Sequence, residues 1–161
     1  MNLKQLFKRP INAVPTGVAV FVLIVALLGF ADATYLSVEH YQNVIPPCSI
    51  TGGCETVLTS AYSTMFGVPD SFVGAAYYLL ILIGIASYLE SKKTRLLKYA
   101  LMLTVVGFVM SLWFVYLQAF VLHAYCAYCL GSALTSTVLF VAAVYLLKKY
   151  TEKSESSPEN K

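Results

Sequence analysis

The chain has 161 residues, of which 58% are hydrophobic and only 12% are charged, and its mean hydropathy is +0.72. This composition excludes an ordinary soluble domain, in which about a quarter of the residues are charged. The net charge of +3 reflects where the basic residues lie relative to a membrane, and it gives no reason to expect a nucleic-acid partner. We therefore predict an integral membrane protein whose surroundings are a lipid bilayer.

Four segments are free of Lys, Arg, Asp and Glu for long enough to cross a bilayer core, which takes about 20 apolar residues. They cover residues 10–31, 71–89, 99–122 and 124–147. We predict an all-α membrane protein, a four-transmembrane-helix bundle with helices over about residues 12–35, 71–90, 98–122 and 125–148. The first helix is too long for a cleaved signal peptide and is expected to remain in the mature protein.

The basic residues predict the orientation of the bundle. They lie before the first helix, around the connection between the second and third, and after the fourth: Lys4, Lys8, Arg9, Lys92, Lys93, Arg95, Lys98, Lys148, Lys149, Lys153 and Lys161. Short segments rich in Lys and Arg stay on the cytoplasmic side. We expect a multi-pass protein of the plasma or inner membrane with both termini cytoplasmic. The loop 36–70 and the turn at 123–125 then face outward, and residues 151–161 form a disordered cytoplasmic tail.

The four cysteines all fall on the predicted outer side, at Cys48, Cys54, Cys126 and Cys129. Disulfides persist in such an oxidising compartment. The C-x5-C and C-x-x-C spacings close loops too short for a large structural gain, and a cysteine at a helix start is favoured as thiolate. The spacing therefore favours redox cycling. The alternative is a non-enzymatic tetraspan membrane protein that is stapled by its disulfides and binds another protein.

Metal chemistry is a further alternative for four cysteines, because four thiolates suit zinc. The outward compartment and the lack of a second C-x-x-C argue against a zinc site. A c-type haem is excluded, since Leu130 rather than histidine follows Cys129. We expect no metal.

The outer loop contains "NVIPPCSITGGC", in which two prolines stiffen the approach and two glycines permit a sharp turn. This predicts a solvent-exposed hairpin with Cys48 and Cys54 joined as a disulfide. The next stretch, "ETVLTSAYSTMFG", has apolar residues at helical spacing and predicts a short amphipathic helix lying on the bundle. That helix follows directly from Cys54, and the turn before Cys126 is short. We therefore expect the two cysteine pairs to meet at the mouth of the bundle.

The order of these motifs is specific. A C-x5-C loop, then "CETVLTSAYSTMFGVPDSFVG", then a C-x-x-C that opens the last of four helices resembles the vitamin K epoxide reductase family, in its bacterial or archaeal branch. The segment "DATYLSVEHY", residues 32–41, is also similar to that family, and the likeness covers about residues 15–147. The resemblance implies a quinone-dependent thiol–disulfide oxidoreductase. It would oxidise an extracytoplasmic thioredoxin-fold partner and reduce a membrane quinone such as ubiquinone, menaquinone or a relative.

The resemblance also implies a role for each cysteine. Electrons from the partner arrive at the loop pair, Cys48 and Cys54. Cys54 passes them to Cys126, and Cys129 faces the quinone. Exchange of this kind needs an attacking thiolate and a good leaving thiol, and the helix start at Cys126 favours both on the second pair.

Two polar residues are implied at the quinone. Ser60, six residues after the second loop cysteine, is expected near the quinone head group. Asp70 occupies the place of an asparagine that hydrogen-bonds a quinone oxygen in the animal enzymes, and it also suits a plain helix cap beside Ser71. Ala133 stands where the animal enzymes carry a tyrosine. These departures argue against epoxide chemistry and leave quinone reduction intact.

Overall fold

The structure is a computed structural model that describes residues 14–48, 52–65, 67–91 and 94–152. In chain order its elements are α1 (Thr16–Gln42), the short helix α2 (Cys54–Leu58), β1 (Thr64–Met65), β2 (Val68–Pro69), α3 (Asp70–Ser91), α4 (Thr94–Tyr116), a π-helix (Leu117–Val121) and α5 (Ala127–Glu152). Among the described residues, four helical spans are long and apolar enough to cross a bilayer: Thr16–Gln42, Asp70–Ser91, Leu96–Val121 and Ala127–Lys149. The predicted all-α bundle of four transmembrane helices is confirmed.

The four long helices close on one another as a ring. Helix α1 packs on α3 and α5, and α4 packs on the same two helices. The interior holds almost fully buried side chains such as Ala26, Ile85 and Leu139. On the outside, Leu80 and Leu134 remain 57% and 65% exposed. An apolar exterior of this extent is typical of a protein whose solvent is lipid.

Helix α1 ends at Gln42, later than the predicted end at residue 35. Neither glycine nor proline occurs between Gly29 and Pro46, so nothing stops the helix where its polar residues begin. It ends at Asn43, whose φ of 54° is left-handed and whose N–H donates to the His40 carbonyl at 3.1 Å. Asparagine tolerates this conformation and closes helices in this way. The outer loop is correspondingly shorter at its start.

The predicted amphipathic helix after Cys54 is present but short, since α2 ends at Leu58. The hydroxyls that follow bind backbone carbonyls: Thr59 Oγ1 donates to the Glu55 carbonyl at 2.7 Å, and Ser60 Oγ donates to the Val57 carbonyl at 2.8 Å. Such bonds compete with a continuing helix. The chain then forms the hairpin of β1 and β2, and Gly67, with φ of +82°, lies in the turn between the two strands.

The remaining boundaries differ modestly from the predictions. Helix α3 spans Asp70–Ser91, α4 begins at Thr94, and α5 spans Ala127–Glu152. The first two residues of the predicted tail therefore extend α5, because Gly and Pro are absent between residues 132 and 152. Residues 153–161 lie outside the described part of the chain.

Candidate redox site at one end of the bundle

The loop cysteines form a disulfide, Cys48–Cys54, with a Cα–Cα distance of 5.8 Å. The predicted pairing is confirmed. Cys54 is the first residue of α2 and has no exposed surface, whereas Cys48 is half-buried on the approach to it. The two sulfurs therefore differ in access: Cys54 faces protein, and Cys48 is the one that solvent reaches.

Cys126 and Cys129 are free thiols at the start of α5. Cys126 directly precedes the first helical residue, and its sulfur accepts a hydrogen bond from the Cys129 N–H at 3.4 Å. This is the geometry of a helix N-cap, in which a side chain receives an N–H of the first turn that lacks a backbone partner. The cap places Cys126 at the positive end of the helix dipole and Cys129 one turn along.

The surroundings of Cys126 favour its thiolate. The hydrogen bond from the Cys129 thiol, aided by the backbone N–H groups of Cys129 and Tyr128, lowers the pKa of Cys126 to about 7, while burial and the Asp32 carboxylate act in the opposite direction. The ordinary pKa of a cysteine thiol on the same scale is 9.0. Cys126 therefore ionises more readily than an ordinary cysteine, which favours it both as a leaving group and as a nucleophile.

Gln118 holds Cys126 in place. Its Oε1 accepts the Cys126 N–H at 2.8 Å, and its backbone carbonyl accepts the Ala124 N–H at 3.1 Å. Gln118 lies in the π-helix, is 2% exposed, and its Nε2 donates to the Phe114 carbonyl at 3.4 Å. π-Helical segments are frequent at functional sites.

Sequence reasoning left Gln118 without a role. The sequence did mark Gln118 as unusual, because an amide side chain inside an otherwise apolar membrane span is costly unless it makes a specific contact. Its partner was not visible in the sequence, since a π-helix and a turn with His123 at φ of 49° together bring residue 126 back onto residue 118.

The loop and the start of α5 touch beside the cysteines. Gly53 packs so closely on Tyr125 that a Cβ at this position would lie 2.7 Å from both the backbone N and O of Tyr125. The Tyr128 hydroxyl donates to the Pro47 carbonyl at 3.4 Å. Gly53 precedes Cys54 and Tyr125 precedes Cys126, and both of these cysteines have no exposed surface. The structure thus brings the two pairs together at the same end of the bundle.

A cavity of about 190 Å³ lies inside the bundle below this contact. Cys129, Ser60 and Asp70 all line it, together with apolar side chains such as Met110 and Phe114. A mostly apolar cavity with a few polar groups is typical of small-molecule sites. Such a wall suits the head group of a quinone, which is an apolar ring with polar oxygens. The three residues that sequence reasoning assigned to the quinone therefore share one cavity.

Ser60 and Asp70 are already engaged in local hydrogen bonds. The Ser60 hydroxyl donates to the Val57 carbonyl, so it must rotate before it donates to a ligand. Asp70 Oδ1 accepts the Ser71 N–H at 2.8 Å. Asp70 is therefore a cap for α3 and part of the cavity wall at the same time.

A second cavity, of about 400 Å³, adjoins the first on the loop side. Ser60 and Asp70 line both cavities, while Glu39 and His40 of α1 line only the second. Among the described residues, Glu39 Oε2 is buried without a hydrogen-bond partner. Ser60 and Asp70, at the boundary between the two cavities, are thus accessible from the loop side as well as from within the bundle.

The sequence matches the family described as the vitamin K epoxide reductase family over residues 20–144. A search of the curated proteins finds no match. The matched region runs from α1 into α5 and contains all four cysteines, the π-helix and the cavity between the helices. The chain belongs to the vitamin K epoxide reductase family of membrane oxidoreductases.

Proposed function

We propose that this protein oxidises an extracytoplasmic thioredoxin-fold protein and passes the electrons to a membrane quinone. The observation that carries the proposal is the contact of Gly53 with the Tyr125 backbone, which joins the loop disulfide to the C-x-x-C helix, with Cys129 in the wall of the cavity beyond. The loop disulfide, the Cys126–Cys129 pair and the apolar cavity thus lie next to one another in that order.

The first half of the relay involves the loop. The Cys48–Cys54 disulfide takes two electrons from the partner's dithiol, so that the partner gains a disulfide and the loop becomes a dithiol. Cys48 has the better access to a soluble partner, and Cys54 is packed toward α5. The Cys54 thiolate then attacks Cys126 of an oxidised Cys126–Cys129 pair, and Cys129 leaves as a thiolate.

The second step releases the helix pair. Cys48 attacks Cys54 in the mixed disulfide, the loop disulfide forms again, and Cys126 departs. A leaving thiol of low pKa departs faster, and the pKa of Cys126 is lowered to about 7. The structure carries a loop disulfide with free thiols at Cys126 and Cys129, which is the arrangement that follows this transfer.

A bound quinone would supply the oxidising capacity by taking up two electrons and two protons from the Cys126–Cys129 dithiol. Cys129 lies in the cavity wall, where it would face a ring bound in the cavity. Asp70, when protonated, and Ser60, when rotated from the Val57 carbonyl, would donate hydrogen bonds to the nearby ring oxygen. The helix pair returns to a disulfide, and the cycle closes.

We further propose that the cysteine end of the bundle faces the periplasm or the cell exterior. Lys98, Lys148 and Lys149 lie near the helix ends that are remote from the cysteines. Short segments rich in basic residues stay in the cytoplasm, which assigns that end of the bundle to the cytoplasmic side. Disulfide formation would then take place in the compartment where secreted proteins need it.

The test is turnover by purified protein with a reduced thioredoxin-fold substrate and a short-chain ubiquinone analogue. We expect quinone reduction and substrate oxidation in equal amounts, and their loss in both Cys48→Ala and Cys129→Ser. In Cys129→Ser, a single round of exchange between the substrate and the loop disulfide should remain while quinone reduction is lost. That result would place the loop pair in the substrate half-reaction and Cys129 in the quinone half-reaction. A wild-type protein that is folded and loses no thiols to quinone would support the non-enzymatic alternative instead.

A further inference from the structure

We infer that Tyr77, together with Ser136, forms a second hydrogen-bonding site for the quinone, which holds the ring oxygen remote from Cys129. The inference rests on the proposed quinone reduction and adds a positioning contact to it. Tyr77 and Ser136 both line the cavity, and their hydroxyl oxygens are 3.4 Å apart across α3 and α5.

The two helices set the spacing of this site from the first. Helices α3 and α5 both begin at the cysteine end, with Asp70 and Cys129 in their first turns. Tyr77 and Ser136 each follow seven residues later, which is two turns or about 10 Å along a helix. The cavity therefore has two polar levels, one at Asp70 and Cys129 and one at Tyr77 and Ser136.

The phenol of Tyr77 reaches across the bundle to the level of Ser136, where the two hydroxyls meet. Side chains on a helix lean toward its N-terminus, which for α3 is the cysteine end. A small residue leaves room for a ring between the levels, since Ala133 lines the same cavity one turn along α5 from Cys129. A methyl group at Gly107 would collide with the Tyr77 phenol, so glycine allows that phenol to lie across the space between α3 and α4.

The neighbouring tyrosine shows that Tyr77 has unused capacity. The Tyr78 hydroxyl contacts three oxygens of α5: the Ser132 carbonyl at 2.9 Å, Ser132 Oγ at 3.2 Å and Thr135 Oγ1 at 2.8 Å. Within the described part of the chain, the Tyr77 hydroxyl has one side-chain partner, at the long distance of 3.4 Å. A hydroxyl offers one proton and two acceptor positions. If Ser136 donates to Tyr77, the Tyr77 proton is available to a ligand.

This arrangement selects for a para-quinone, whose two oxygens stand on opposite carbons of the ring. One oxygen would meet Asp70 and Ser60 while the other meets Tyr77. A donor at each end stabilises the negative charge that reduction places on both oxygens. Ser136 is almost fully buried and Tyr77 is half-buried, and polar side chains that face the interior of a membrane bundle tend to mark functional sites.

The experiment compares Tyr77→Phe with wild type for two substrates, a short-chain ubiquinone analogue and phenanthrenequinone, whose oxygens lie on adjacent carbons. We expect kcat/KM for the ubiquinone analogue to fall about 10-fold, the usual effect of one lost hydrogen bond, with little change for phenanthrenequinone. Transfer from the loop pair to the helix pair should keep its wild-type rate. Tyr88→Phe is the matched control, because the Tyr88 hydroxyl is buried on the same helix and accepts the Val14 N–H at 2.7 Å, away from the cavity.

The outcomes separate the two proposals. A wild-type protein that reduces neither quinone would remove the proposed function itself. Three results would refute the role of Tyr77 while leaving the proposed function standing. The first is a kcat/KM in Tyr77→Phe equal to that of the wild type. The others are a loss in Tyr77→Phe that is equal for both quinones, and an equal loss in Tyr88→Phe. Thermal unfolding of each variant identifies any loss that comes from the fold, and Ser136→Ala provides a second variant. In Ser136→Ala, as in Tyr77→Phe, kcat/KM should fall for the ubiquinone analogue and change little for phenanthrenequinone, but the fall should be smaller than in Tyr77→Phe.

Discussion

The side chain of Gln118 binds the backbone of Cys126, with 2.8 Å between Oε1 and the amide nitrogen. Both residues are almost fully buried, at 2% and 0% exposure. The bond joins the π-helix at the end of α4 to the residue that opens α5. It therefore fixes Cys126, the cysteine that we propose receives electrons from the loop.

Gln118→Leu should weaken both the fold and the transfer step. It leaves the Cys126 N–H buried without a partner, which costs about 1–3 kcal/mol in the free energy of unfolding. The freed turn should also slow single-turnover transfer from the loop pair to the helix pair, followed by rapid acid quench and mass spectrometry.

Thr104→Val is the control for this prediction. Thr104 is buried in α4, and its hydroxyl donates to the Leu101 carbonyl outside the redox site. It should lower stability and leave transfer unchanged. Equal transfer rates in Gln118→Leu and wild type would show that the bond is structural only.

The ionisation of Cys126 should depend on Cys129. In the reduced protein the Cys129 thiol lowers the pKa of Cys126 to about 7, so thiolate absorbance in the ultraviolet should rise with a midpoint near pH 7. In Cys129→Ala the midpoint should move up toward the ordinary value of 9.0, because the largest cause of the lowered pKa is gone. A Cys48→Ala/Cys54→Ala background keeps other thiols out of the signal.

The same lowered pKa predicts the direction in which the stability of the reduced protein changes with pH. A thiol that ionises more readily in the folded state binds fewer protons there than when unfolded between about pH 7 and pH 9. The free energy of unfolding of the reduced protein should therefore rise with pH across this window, and the gain should be lost as pH falls through 7. A flat profile there would contradict the assigned cause.

Cys54 should be the cysteine that carries electrons between the pairs. Cys48→Ala removes the thiol that resolves the mixed disulfide from the loop side, and Cys129→Ser removes the one that resolves it from the helix side. Either variant should accumulate a Cys54–Cys126 cross-link, detected by mass spectrometry of unreduced peptides. Finding Cys48 joined to Cys126 in Cys129→Ser, with Cys54 free, would reverse the order of the loop pair.

Asp70→Ala and Ser60→Ala should slow quinone reduction more than exchange with the thioredoxin-fold partner. Each removes a polar contact in the cavity, and one such donor is commonly worth about 100-fold or more in rate. Asp70→Asn is the informative control, because an amide still donates a hydrogen bond. If Asp70→Ala lost thermal stability and kept its turnover, the cap on the Ser71 N–H would be the whole role of Asp70.

The orientation of the bundle is testable in intact cells. A membrane-impermeant thiol reagent applied to reduced cells should label Cys48, which is the more accessible loop cysteine. A tag after Lys161 should stay protected from an external protease. Cleavage of the tag from outside would overturn the assignment of the compartments.

The fold was largely predictable because charge-free runs of about 20 residues have few alternatives to membrane helices. The end of α1 was not, since the polar residues after Asp32 indicate the edge of the membrane but do not end a helix. The length of α2 also escaped prediction. Apolar spacing over residues 55–66 favours a helix, and the carbonyl contacts of Thr59 and Ser60 override it.

In the site, the Cys48–Cys54 pairing followed from local turn chemistry and was predictable. The pairing of Gln118 with Cys126 and of Tyr77 with Ser136 was not, because each depends on how two helices face each other. Tyrosines are also common at membrane interfaces, which hid the separate behaviour of Tyr77 and Tyr78.

The close packing of Gly53 on Tyr125 has a consequence for the speed of the relay. Collective domain motions take microseconds to milliseconds, and a relay that had to swing a domain between distant sites would include that delay in each cycle. Here the two backbones already touch beside Cys54 and Cys126, so no long excursion separates one half-reaction from the next. In the proposed relay, no large loop movement would then be needed between the loop half-reaction and the helix half-reaction.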